Sequence, residues 1–487
     1  PVLLTALHRN PRDSHVHEQA CAALAILCEM DEGKAALAAV QVGNPAQSGA
    51  QLIAASLRSM AGSPAAAKQG LKLTSVAGLH EGAKTAFLQA GTLGFAFLVL
   101  QGHPQDPGVL FYGFRAFMTL GHPQLPDDCL SICGELLDLI VAAMRALPED
   151  PRVQESGCEL LSILGRLERM QQPMRERGGV AVVCQALRTF QSDTGIQRKG
   201  CRAFANVAEF PPCREAIRME GGIPLIVLGM KYHVSHPEVG EQGCAAIANL
   251  ALDDENRREV ARAEGVQAVL AGLRLHQQHP GIQAFGIGAL GNLAVEEENC
   301  GVILSAGAIE MVLYAMRTWP EEARVQHFAC LACSNFAHDD KNKVAIGQVG
   351  GNRMIVAAMQ KHIDHGGVQE QACGALANLG IHQQNMVEIA QLHGIECVVS
   401  SLQRHPSHPG VQENACFALS KFLTMPNENF RQRMKMAGAE DALAAIKQSK
   451  PSFDVSICVN VLLRRLNEQA APPQQPQQPQ QPQQPQQ

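Results

Sequence analysis

The sequence predicts an all-α solenoid, a stack of similar helical units. Three observations lead there. Gly243-Cys-Ala-Ala-Ile-Ala-Asn-Leu-Ala251 returns at a 43-residue period, as Gly200-Cys-Arg-Ala-Phe-Ala-Asn-Val-Ala208 before it and Gly286-Ile-Gly-Ala-Leu-Gly-Asn-Leu-Ala294 after it. A β-branched column (Ile196, Val239, Ile282, Val325, Val368, Val411), usually followed by Gln, keeps the same register. The chain is 46% apolar yet only 4% aromatic, so its core must be built from Ala, Leu, Ile, Val, Cys and Met. A fixed period of this length marks units that each pack on their neighbours. It overrides the prior of about three globular domains that 487 residues would suggest.

Val2 to His8 read as a truncated helix, followed by a long helix over Val16 to Cys28. Starting in mid-repeat at Pro1, the sequence is expected to lack some N-terminal residues. The next unit is late, and the turn formers of Val42-Gly-Asn-Pro-Ala-Gln-Ser-Gly49 place the extra residues there. In each regular unit three segments follow. Asn256 to Glu264 form a short first helix, Val266 to His276 a second, and Gly281 to Ala294 a longer third that opens after His279-Pro280. Gly179, Gly222, Gly265, Gly351 and Gly394 are expected to supply the left-handed turn between the first two helices. Asn256, Asn299, Asn342 and Asn385 are expected to N-cap the first helix. About eleven units result: divergent repeats over 1–177 with the first truncated, regular repeats over 178–424, a capping repeat over 425–469, and a disordered Pro/Gln tail over 470–487.

A short helix, a Gly turn, a second helix and a long third helix bearing Val368-Gln-Glu-Gln-Ala-Cys-Gly-Ala-Leu-Ala-Asn-Leu379 resemble armadillo repeats. The resemblance covers nearly everything before the tail and implies a right-handed superhelix whose third helices line a concave groove. In peptide-binding members such as importin-alpha and beta-catenin, the Asn of that helix grips the main chain of an extended partner. Asn206, Asn249, Asn292, Asn335 and Asn378 match it, and Lys421 ends the column. Where importin-alpha places Trp one turn earlier, this chain has Arg202, Ala245, Gly288, Leu331, Gly374 and Phe417, which argues against binding of nuclear-localisation signals. Arg202, Phe417 and Lys421 therefore join the five Asn as candidate partner-binding residues.

A carboxamide offers donors and an acceptor together and can bond both groups of one peptide unit. Spaced about 10 Å apart, five would track roughly a dozen extended residues. The alternative is that each Asn ties its repeat to a carbonyl of a neighbouring helix or loop; the sequence leaves both open.

Other patterns point away from chemistry. Cys158, Cys201, Cys244, Cys330, Cys373 and Cys416 share one column, and units about 10 Å apart exceed the roughly 7 Å that a disulfide spans. They read as small core residues of a reduced protein. Cys330-Leu-Ala-Cys333 joins that core. Gly286-Ile-Gly288-Ala-Leu-Gly291 spells a dinucleotide fingerprint, but inside a helix rather than after a strand. His362-Ile-Asp-His365 could offer metal ligands, yet loop histidines recur at His236, His279 and His408, as in a solvated loop. Asp253-Asp-Glu255, Glu296-Glu-Glu298 and Asp339-Asp340 fit helix-dipole partners better than a rim for a basic ligand. No nucleophile stands with a base.

A net charge of -6 gives no support to a nucleic-acid surface, and no apolar run is long enough to span a bilayer. The expectation is a non-enzymatic scaffold without cofactor or metal, binding an extended protein segment in its groove. A subunit of a cytoskeletal or ciliary assembly, docking through its convex face or ends onto neighbouring subunits, is the alternative. A cytoplasmic location is expected, cytoskeletal or ciliary in the second case.

Overall fold

The computed structural model describes residues 1–43, 46–121, 132–424, 427–449 and 451–468, so the expected tail lies outside the described residues. Among the described residues 31 helices follow one another, in a repeating pattern of nine, eleven and fourteen residues. Asp254–Arg262, Gly265–Leu275 and Pro280–Leu293 are one such set. The chain divides into two compact units, Pro1–Ala308 and Ile309–Gln487.

In the first unit the long third helices are Ser14–Leu27, Pro64–Ala77, Pro107–Leu120, Pro151–Leu164, Thr194–Val207, Pro237–Leu250 and Pro280–Leu293, each packed on the next. In the second they are Ala323–Phe336, Gly366–Leu379, Pro409–Phe422 and Phe453–Asn467, stacked likewise. That makes eleven, the expected number. The extra residues of the second repeat form a short antiparallel hairpin, Gln41–Val42 with Gln47–Ser48. No single helix among the described residues is long and apolar enough to cross a membrane.

Most third helices start from a residue whose side chain accepts a first-turn N–H, Ser63, His236 and Glu322 being exceptions. Asp193 Oδ1 takes the Ile196 N–H at 2.9 Å, and Asp106 and Asp150 act alike. Further along, the ring Nδ1 of His279, His365 and His408 accepts from Ile282, Val368 and Val411. These loop histidines are structural caps. Their neighbours work across repeats: Nε2 of His233 donates to the Gln191 carbonyl at 2.8 Å, and Nε2 of His276 to that of Val234 at 2.7 Å. In the second unit His362 and His405 make the same contact to Pro320 and Ile363. Because a carbonyl only accepts, each of these bonds fixes the proton on Nε2.

Two expectations about the first helix need correction. The left-handed residue stands one position before the expected column, at Gly178, Gly221, Gly350 and Gly438, and also at Glu264 (φ 60°) and His393 (φ 66°). Gly265 and its equivalents are instead the first residues of the second helices. Their reason is contact: a Cβ on Gly265 would lie 2.5 Å from Val260 Cγ1, and one on Gly222 2.6 Å from Ile217 Cγ2. The Asn column does not cap either. Asp253, Glu296, Asp339 and His382 hold the cap position, which leaves Asn256, Asn299 and Asn385 inside the first turn and buried. Asn385 Nδ2 there donates to the Lys343 carbonyl at 2.8 Å.

The core is fine-grained, as composition required. Its largest fully buried side chains include Phe87, Phe114, Phe204, Phe336 and Phe422, set among Ala, Leu, Ile and Val. All six cysteines of the repeat column are at most 1% exposed, and none forms a disulfide. Burial pushes the thiols of Cys158, Cys201, Cys244 and Cys373 up to about 12, which keeps them protonated and inert. Cys333, also buried, is one more core residue, and Gly286, Gly288 and Gly291 lie within the helix Pro280–Leu293.

The Gln that follows the β-branched column closes the second helix. The last carbonyls of a helix have no partner within it. Gln283 Nε2, 2% exposed, donates to the carbonyls of Leu273 at 2.9 Å and His276 at 3.1 Å. Gln154, Gln197, Gln326 and Gln369 bond the equivalent pairs. Replacing Gln283 with Leu would leave both carbonyls buried and unserved. The expected loss is about 2 kcal/mol, read as a lower urea midpoint; an unchanged midpoint would show that the amide is dispensable.

Candidate partner-binding face

The candidate residues sit on the third helices, near their C-terminal ends, where the helix again leaves carbonyls without intrahelical donors. In the first unit Asn206 Nδ2 donates to the Ser162 carbonyl at 2.8 Å, Asn249 to that of Ala205 at 2.8 Å, and Asn292 to that of Ala248 at 2.9 Å. Each acceptor lies in the last four residues of the preceding third helix. In the second unit Asn378 Nδ2 bonds both the carbonyl and the hydroxyl of Ser334 at 3.1 Å. Asn335 holds the same place on Ala323–Phe336, half-buried and engaged. Of the two roles left open by the sequence, the tie to the neighbouring repeat is thus realised in the structure.

That tie uses only part of the carboxamide. Asn206, Asn249 and Asn292 spend one N–H each, and their Oδ1 and second N–H have no partner among the described residues. All three are half-buried and reach the surface. Farther toward the N-terminus the column holds Thr119, whose Oγ1 donates to the Ser75 carbonyl at 3.3 Å. A hydroxyl can therefore make the inter-repeat bond without offering the surplus amide groups.

The remaining candidates divide by unit. Arg202 shares the first unit's face with Asn206, Asn249 and Asn292, but its charge is met from the preceding repeat. Its Nη1 lies 3.2 Å from Glu159 Oε1, and Lys199 Nζ lies 2.9 Å from Glu155 and 3.5 Å from Glu159. In the second unit Lys421 Nζ stands 4.5 Å from the centroid of the Phe417 ring, a cation–π pair on an exposed helix face near Asn378's repeat.

Sequence reasoning passed over a row of exposed apolar residues. Leu252 (52% exposed) and Val295 (49%) each follow their Asn by three positions in the first unit, and Ile381 (51%) does so in the second. A recurring apolar residue just past a helix end, where a polar turn is ordinary, was the available signal. Leu252 borders an open hollow with Pro211, Pro212, Asp253 and Arg258. The nearby acids are largely engaged: Asp253 accepts from Arg214 Nε at 2.9 Å, Asp254 pairs with Arg257, and Glu255 with Arg258 at 2.9 Å. Asp254 and Glu255 also stand in a helix's first turn, where its dipole favours them. Among the described residues no group of three or more ligating side chains could hold a metal ion.

Stacked three-helix units with a ladder of amide ties between third helices define an α-solenoid repeat protein. Residues 217–441 match the family model described as the LRRK2 ARM repeat, and units of the same three-helix design continue on both sides of that span. Over residues 217–441 the repeats are armadillo repeats, and the fold is an armadillo-type solenoid. Among solved structures it is similar to an engineered protein, at 26% identity and a TM-score of 0.41, over 50% of this chain and 97% of that one. A structure from work on the phosphorylation switch that controls the interaction between cadherin and beta-catenin aligns at 14% identity and a TM-score of 0.43, over 96% of this chain and 99% of that one. No curated protein matches the sequence.

The two roles of the Asn column separate by substitution. Asn249→Ala would strand the Ala205 carbonyl and cost about 1–3 kcal/mol, whereas Asn249→Thr, copying Thr119, should keep the melting temperature near that of the wild type. Equal melting of the Ala and Thr variants would show that the inter-repeat bond contributes little.

Proposed function

We propose that this chain is a protein-binding scaffold whose third-helix face holds an extended segment of a partner by its main chain, chiefly over the regular repeats of residues 178–424. The observation that carries the reading is the surplus bonding capacity of the Asn column. In the first unit three carboxamides present an unused acceptor and an unused N–H from consecutive helices. Repeats about 10 Å apart would let them grip alternate stretches of some six extended residues at about 3.3 Å each. Leu252 and Val295 flank the amides with apolar surface for side chains of the segment. Specificity near Arg202 falls to shape rather than to a free positive charge, since Glu159 already meets that guanidinium. In the second unit the Phe417 and Lys421 pair offers an aromatic face with a cation over it, a platform for a carboxylate or a carbonyl. The reading is non-enzymatic and needs no cofactor.

The test uses the Thr substitution, which spares the fold. A displayed library of extended peptides is selected on the wild-type chain, and the winners are measured against the Asn206→Thr, Asn249→Thr, Asn292→Thr triple variant. The expected result is at least a tenfold loss of affinity at unchanged melting, since three main-chain contacts at about 0.5–1.5 kcal/mol each are removed. Equal binding by the triple variant would make the ladder purely structural, and docking through other surfaces, as in a cytoskeletal or ciliary lattice, would take its place.

A further inference from the structure

The last third helix, Phe453–Asn467, carries apolar residues on two opposite faces. Its inner face is Val455, Val459, Leu462 and Leu466, all at most 3% exposed, on a helix that packs against Pro409–Phe422 and Ala439–Gln448. Its outer face presents Phe453 (80% exposed), Ile457 (48%) and Val461 (44%). Positions four apart advance only about 40° around a helix axis, so these three form one stripe directed away from the core. At the same columns the two preceding third helices carry Gly410, Asn414 and Ala418, and Gly367, Gln371 and Ala375. Larger apolar residues replace them here, on a helix with no described repeat beyond it. A helix that is apolar on both sides calls for two partners, and the described fold supplies one.

Opposite charges flank the stripe at its two ends. Asp454 and Arg465, both exposed, lie on the same side of it, eleven positions or about 16.5 Å apart. Neither has an ion-pair partner among the described residues, whereas the neighbouring Arg464 pairs with Glu468 at 3.4 Å. Each charge suits its own helix end, acid at the N-terminus and base at the C-terminus, and that makes antiparallel ends complementary. The two are too distant to meet within one chain. When two copies of the helix lie face to face and antiparallel, each Asp454 comes beside the Arg465 of the other copy. The midpoint of the charges falls between Val459 and Asn460, and that of Ile457 and Val461 at Val459. One two-fold axis therefore serves the apolar pair and the charges together, and uses each contact twice.

We propose that the outer face of Phe453–Asn467 is a self-association surface whose occupant is the same helix of a second copy of this chain. The helices run antiparallel, with Ile457 packed on Val461 of the other copy and Asp454 paired with its Arg465. Fifteen residues make a helix about 22 Å long, and one such pair buries less than the roughly 1,200 Å² at which standard interfaces begin. The dimer is accordingly weak and reversible.

Sedimentation equilibrium of the full chain over ~5 to ~500 µM, a range suited to a small interface, is expected to show a monomer–dimer equilibrium. Ile457→Lys, at an exposed position that leaves the inner face intact, should abolish the dimer at unchanged melting temperature. Asp454→Arg and Arg465→Asp should each weaken it at least ~5-fold, since two exposed ion pairs become two like-charge contacts. The double reversal should restore it, which no contact within one chain can do. A chain that stays monomeric throughout, as it would if residues 469–487 or a foreign segment occupied the stripe, would overturn the proposal. So would a dimer that Ile457→Lys or the single reversals leave unchanged, or one that the double reversal does not restore.

Discussion

A helix cannot satisfy its own last carbonyls, and in a stack of short helices those ends recur two or three times in every repeat and are mostly buried. This chain answers with side-chain amides at fixed columns. Gln283 and its equivalents close the second helix of their own repeat, and Asn249 and its equivalents close the third helix of the repeat before. The first set fixes the angle within a unit, and the second fixes the register between units. Hydrophobic burial supplies most of the driving force but is non-directional. The amides are what make one stacking geometry better than its neighbours, because a shift of one residue would strand a row of carbonyls.

The same constraint accounts for the candidate binding face. An Asn that caps a neighbouring carbonyl must stand at the edge of the helix stack, half-buried, with one N–H turned inward. Its oxygen and second N–H are then left without a partner among the described residues. A face able to hydrogen-bond an extended main chain is thus a by-product of closing the repeats. Thr119 makes the structural bond with a hydroxyl, so the inter-repeat bond itself does not require an amide.

Most of the architecture was legible because periodicity reports directly on packing. The eleven third helices, the insertion after the first repeat and the buried cysteine column all follow from residues recurring at a fixed interval. The misreadings share one cause: a column tells that a position is special, not which neighbour makes it so. Gly178-Gly179 and Gly221-Gly222 each offer two candidates for one left-handed residue, and only the backbone shows that the first takes it while the second admits Met174 or Ile217. Glu264 and His393 occupy that conformation without being Gly, so composition could not have found the turn there. Asn256 carries the residue type of a cap, yet the acids before it start the helix three residues earlier. For the binding face the sequence supplied the Asn column but neither its acceptors nor Leu252 and Val295. Acceptors belong to carbonyls that the sequence does not distinguish, and the exposure of the apolar pair depends on where each helix ends against its neighbour.

Departures from the period are then as informative as the period itself. In a regular repeat each column is constrained by identical contacts on both sides, which suppresses individual chemistry: six cysteines in one column become six inert core residues. At the last third helix the column position, 43 residues after Cys416, holds Val459, equally buried, so the packing continues there without a thiol, and Cys458 stands half-exposed one position earlier. The exposure of a thiol in this fold is therefore set by its place relative to the buried column, not by the presence of cysteine.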